Sequence, residues 1–98
     1  MPEVVRRIED GKWFWVQNEI VFGRLAHIKV TGFAVYCLLA ATADRRQSSY
    51  PSNSYLARTS GLSRSTVKRA LNRLERAGLI SRAQSSRSRR RYYLLKTD

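Results

Sequence analysis

The stretch GLSRSTVKRALNRLERAGLI, residues 61–80, constrains the chain more than any other. At about 100° per residue, Thr66, Val67, Ala70, Leu71, Leu74 and Ala77 fall in one sector of a helical wheel. Arg64, Ser65, Lys68, Arg69, Asn72, Arg73 and Arg76 occupy the other sector. Ser63 is a good N-cap and Gly78 a good left-handed stop, so a helix is predicted over residues 63–77. Its apolar stripe needs a core to rest on. Its five Lys/Arg have one acid among them, Glu75, so intrahelical ion pairs cannot account for the cationic stripe. A helix that is merely solvated mixes its signs.

The flanks repeat the same logic. Ser52 can cap a short helix NSYLARTS that Gly61 ends, placing two helices on either side of one tight turn. After Gly78, the segments LISRA and RYYLL alternate apolar and polar residues around a basic tip, which predicts a β-hairpin with one of Tyr92 and Tyr93 in the core and the other at the rim. Tyr50 and Tyr55 read as packing residues. Pro51 marks the polar connection DRRQSSYPSNS, which is read as a loop.

The 98 residues suit one compact domain, and 43% hydrophobic content is enough to fold it. The formal charge of +12 is unevenly placed: residues 1–44 carry five Lys/Arg and five acids, whereas residues 45–98 carry fourteen against two. Such a basic half gains most from a polyanion that neutralises it and releases counterions. Nucleic acid is favoured over an anionic membrane surface.

The first half is less specific. Asp10-Gly11 between β-branched and aromatic flanks predicts a hairpin over VVRRIEDGKWFWVQ, or failing that an extended arm in which WFWV docks on the body. Asn18 can cap a short helix EIVFG ending near Gly23, and a second helix is expected from about Thr31 to Asp44. That helix is apolar nearly all round, with Phe33, Tyr36, Cys37 and Ala40 on one face and Val35, Leu38, Leu39 and Thr42 opposite. Either the N-terminal aromatics or a second subunit covers its outer face. His27 reads as structural. The single Cys37 implies a buried thiol without a disulfide, and one His with one Cys is too small a ligand set for a metal. The longest apolar run, FAVYCLLAATA, is too short to span a bilayer, and no signal peptide is visible, so a cytoplasmic, nucleoid-associated location is expected.

The segment LARTSGLSRSTVKRAL resembles the helix-turn-helix core pattern: Leu56 and Ala57 in the first helix, Gly61 in the turn, Leu62 after it, and Val67 and Ala70 in the second helix. Ser60 departs from it, since an apolar residue is common there. With LNRLERAGLI and the basic hairpin that follows, residues 28–95 are similar to the winged variety found in bacterial, phage and plasmid regulators and replication initiators. The resemblance implies a mainly α fold with a little β: a three-helix core, a C-terminal wing, and residues 1–27 packing on the domain of residues 28–98 as hairpin or arm and short helix.

It also implies roles. A major groove about 12 Å wide admits one helix, whose N-terminal part reaches the base edges. Arg64, Ser65, Lys68 and Arg69 are then base readers, joined by Asn72, which can pair with adenine on deep entry. Ser52, Arg58, Ser63, Thr66, Arg73 and Arg76 fall to the DNA backbone, and the wing residues Arg87, Arg89, Arg90 and Arg91 to phosphates or the adjoining minor groove. The expectation is a sequence-specific binder of double-stranded DNA, a small transcription regulator ahead of a replication-initiator module. An RNA-binding or protein-interaction winged helix is the further alternative. A homodimer through the arm and helix 31–44 is expected, tandem monomers being the competitor. Scattered acids and the lack of a phosphate loop argue against an enzyme, and no cofactor, metal, small-molecule ligand or membrane partner is expected.

Overall fold

The computed structural model describes residues 13–84 and 90–95. A π-helical turn, Ile20–Arg24, runs into α1 (Leu25–Ala41); β1 (Ser48–Ser49), α2 (Asn53–Ser60), α3 (Arg64–Arg76), β2 (Ile80–Gln84) and β3 (Arg90–Leu94) follow. This is a winged helix-turn-helix architecture: three helices backed by one antiparallel sheet of order β1-β3-β2. Ile20, Ile28, Val35, Leu39, Leu56, Val67, Leu71, Leu74, Leu79 and Ile80 form the core, with Tyr92 closing it from the sheet.

Local chemistry sets the α2–turn–α3 unit. Ser52 Oγ accepts from the Tyr55 amide at 3.0 Å, and Ser63 Oγ accepts from the Thr66 amide at 3.2 Å, so each helix begins on a serine cap. Gly61 ends α2 at φ 79°, its amide donating to the Ala57 carbonyl. Ser60, the departure from the family pattern, donates its hydroxyl to the Ala57 carbonyl and accepts from the Leu62 amide, so a polar side chain holds the turn locally. At the end of α3 the Gly78 amide donates to Glu75 and the Leu79 amide to Leu74, the paired bonds of a Schellman motif, with Leu74 and Leu79 both buried beside it. Gly78 sits at φ 77°. Gly78→Ala is therefore expected to cost about 1–2 kcal/mol through the left-handed backbone alone, since a Cβ there meets no other atom within 4 Å. Urea unfolding measures that loss.

The N-terminal half differs from expectation in several ways. Trp13 to Gln17 belong to no strand and Val16 packs on the core, while the proposed turn at Asp10-Gly11 lies outside the described residues. The helix after Asn18 does not stop at Gly23. It widens into the π-turn, which brings the Arg24 Nε within 3.1 Å of the Glu19 carboxylate five residues earlier, and continues into α1. The break comes at Lys29 (φ 68°, ψ 168°), just ahead of the expected start at Thr31, and the helix ends at Ala41 rather than Asp44.

The kink frees the Ile28 carbonyl, which accepts from Arg73 Nη1 at 3.3 Å, while Arg24 Nη1 donates to the Ala77 carbonyl at the end of α3. Two arginines thus join the broken helix to α3 at backbone acceptors that the helices leave open.

The predicted division of α1 into two faces is also corrected. Ile28, Gly32, Val35, Tyr36 and Leu39 form one buried stripe, whereas Phe33, Cys37, Leu38 and Ala40 are half-buried around it. Burial pushes the Cys37 thiol above its ordinary pKa; burial, and then the neighbouring thiolate, do the same to the Tyr36 phenol. His27, read as structural, is exposed. The continuous segment Ile20–Ala41 is long and apolar enough, by length and composition, to cross a membrane, which the shorter run considered alone is not. In this fold its Ile28, Val35 and Leu39 are spent on the core with α2 and α3.

The DRRQSSYPSNS connection contains β1. The Asp44 carboxylate accepts from the Arg46 and Ser48 amides, turning the chain so that Ser48 and Ser49 pair with Tyr93 and Tyr92 of β3. Neither serine announces a strand. Pairing with β3 creates one.

Candidate nucleic-acid interface

Val67, Ala70, Leu71 and Leu74 hold the underside of α3 against the core. Burying the three larger side chains contributes about 1.5–3 kcal/mol each, enough to fix which flank faces outward. Arg64, Ser65, Lys68, Arg69 and Asn72 are all exposed and lie together along the other flank. The Arg64 guanidinium touches the Ser54 hydroxyl of α2, and Arg69 Nη2 donates to Thr66 Oγ1 at 3.2 Å. Beside this flank runs a groove of about 600 Å³ between the start of α2, α3 and the sheet. Ser52, Ser54, Arg64, Lys68, Asn72 and Arg82 line it, so among the described residues its walls carry three cations and no acid.

The residues read as backbone contacts divide. Ser52 and Ser63 are exposed at helix starts even while capping, Thr66 is half-buried at the first turn of α3, and Arg58 and Arg76 are exposed. Arg73 is half-buried, with its guanidinium engaged at the α1 kink. The wing residues divide as well. Arg87 and Arg89 lie outside the described residues, and Arg90 opens β3. Arg91 lies over the Tyr50 ring, 4.5 Å from its centroid, with Nη1 on the Tyr93 hydroxyl at 3.3 Å. That cation–π contact ties Arg91 to the body of the protein.

Arg82 escaped sequence reasoning. Across the sheet it opposes Tyr92, and it donates Nη2 to Asn72 Oδ1 at 2.7 Å and to Glu75 Oε1 at 2.6 Å, with Nε on the same Glu75 oxygen at 3.1 Å. One signal was present: Glu75 is the lone acid of α3, and a lone acid in so basic a segment calls for a particular cation.

The family model described as "Helix-turn-helix domain" matches residues 26–80, more than half of the chain. The protein belongs to that helix-turn-helix family. The match takes in α2, the Gly61 turn, α3 and most of α1, the elements that build the exposed cationic flank, and DNA is the partner such a domain points to. Comparison with curated proteins gave no match. Comparison with solved structures gave none either.

Proposed function

We propose that this protein is a sequence-specific binder of double-stranded DNA acting as a small transcription regulator, with α3 in the major groove and the basic wing on the flanking backbone or minor groove. The observation that carries this reading is the division of α3 into a buried apolar flank and an exposed flank bearing Arg64, Ser65, Lys68, Arg69 and Asn72. An inserted helix presents its N-terminal turns to base edges, and these five residues span those turns. Arg64, Lys68 and Arg69 suit guanine O6 and N7, while Ser52, Arg58, Ser63, Thr66 and Arg76 are placed for phosphates. Arg73 serves the α1 kink first and reaches DNA less readily. The same reading puts the protein in the cytoplasm on the nucleoid, in a bacterial or mobile-element setting. The DNA-binding module of a replication initiator would use the same surface.

A second copy of the chain is the proposed cover for the N-terminal side, where Trp15, Phe22 and Val30 are 76%, 85% and 75% exposed. Large apolar side chains at that exposure favour association, and a dimer would read an inverted repeat. Sedimentation of the free protein and of its DNA complex gives the stoichiometry.

Selection of bound fragments from random duplexes tests the function: an enriched motif is expected, and duplex should outcompete structured RNA. If about six phosphates are neutralised, log affinity should fall with log salt at a slope of about −5. Binding isotherms over a range of salt concentrations measure it, and replacing Arg87, Arg89 and Arg90 should flatten the slope with little change in the motif.

A further inference from the structure

We infer that Arg82 is a positioning residue that sets which base Asn72 reads, making Asn72 a hydrogen-bond donor to DNA and selecting against adenine; this rests on the DNA-binding reading proposed above. An asparagine free to rotate can meet adenine with both amide atoms, its oxygen accepting from N6 and its NH2 donating to N7. In this fold the amide is not free. A guanidinium only donates, so the atom facing Arg82 Nη2 at 2.7 Å has to be the amide oxygen, and the Asn72 NH2 is left for other partners.

The bond also has an electrostatic consequence. An adenine N6 amino group brought to Oδ1 would place a second hydrogen donor beside a full positive charge. Guanine, with O6 and N7, and thymine, with O4, bring acceptors to the NH2 without a donor at that edge. Adenine N7 accepts there too, but it carries the N6 donor towards the Oδ1 that Arg82 holds, and polarisation of the amide by Arg82 strengthens the NH2 as a donor.

Three features show that Arg82 is held for this task and is not itself offered to DNA. Its side chain is 16% exposed, against 44% for Glu75. It is pinned through both Nε and Nη2 to one Glu75 oxygen, which leaves Nη2 shared with Asn72. It stands on β2 opposite Tyr92, so the sheet fixes its root while α3 fixes both acceptors. Glu75 and Asn72 are three residues apart on one helical face, which lets a single planar fork span them. Glu75, out of place as an acid in a cationic helix, is accounted for: it anchors the arginine that orients the reader.

The test is selection from random duplexes with the full chain, run in parallel on the wild type and on N72A, R82M, R82K and E75Q. N72A identifies the base position that Asn72 reads, as the position whose preference disappears. The expected result is guanine or thymine at that position in the wild type. In R82M, and more weakly in E75Q, a roughly tenfold swing towards adenine is expected, the size of one good base contact. Other positions should be unchanged, and R82K, which keeps the charge but loses the fork, should fall between.

If R82M fails to fold, E75Q, which keeps every side chain's size, carries the test alone. Adenine at that position in the wild type overturns the inference, as does a motif indifferent to R82M and E75Q. A wild type that enriches no motif overturns the DNA-reading proposal itself, and this inference with it.

Discussion

Replacing Arg64 and Lys68 together by alanine is expected to lower affinity for the selected duplex by about two orders of magnitude, taking each lost base contact as worth 1–3 kcal/mol. Both side chains are exposed, and neither contributes to the core, so the loss should come without unfolding. Among the described residues Arg64 would lose its contact with the Ser54 hydroxyl on α2, and an exposed contact of that kind adds little to stability. The thermal midpoint should therefore stay within a few degrees of wild type while binding collapses. The variant should also discriminate poorly between the selected duplex and an unrelated one, because the phosphate contacts proposed for Arg58, Arg76 and the wing would survive. Fluorescence anisotropy on the two duplexes, read beside a melting curve, checks both halves of the statement. An unchanged affinity would place the nucleic-acid surface elsewhere and favour an interaction role for this helix.

The converse substitution is Leu74→Ala. Leu74 is fully buried, packs at the centre of the α3 underside, and supplies the carbonyl that the Leu79 amide uses to end the helix. Removing its side chain leaves a cavity in a core that numbers thirteen buried hydrophobic residues among those described, and truncations of this kind cost about 2–5 kcal/mol. A domain of this size commonly has about 5–10 kcal/mol in total, so the variant should unfold at markedly lower urea and approach the point where the native state is no longer dominant. DNA binding should fall in proportion to the unfolded fraction and recover on cooling or with stabilising osmolytes, unlike the loss in the Arg64 and Lys68 double variant. Urea denaturation followed by circular dichroism gives the first number, and binding measured at two temperatures gives the second.

What separates these two substitutions was legible in the sequence. The alternation of cationic and apolar residues from Arg64 to Ala77 repeats at the period of a helix, so the burial of Val67, Ala70, Leu71 and Leu74 follows from local spacing. The boundaries follow too: a serine hydroxyl three residues before the amide it caps, and a glycine where φ has to be positive, are one-turn interactions that need nothing from the rest of the chain. For α2, the Gly61 turn, α3 and the β2–β3 pairing after it, neighbours in sequence are the partners that matter.

The tertiary structure decided what depends on distant partners. The break in α1 falls at Lys29, where no glycine or proline marks it, and the Ile28 carbonyl that it frees is met by Arg73, 45 residues away. Two serines become a strand because β3 offers them backbone partners. Arg91 settles on Tyr50, and Arg82 reaches Asn72 and Glu75 across the junction of sheet and helix. A helical wheel assigns a side chain to a flank, but it cannot say whether a guanidinium on that flank is spent inside the protein. Periodicity and capping are set within one turn of chain; a charge is committed only when folding brings its acceptor within about 3 Å.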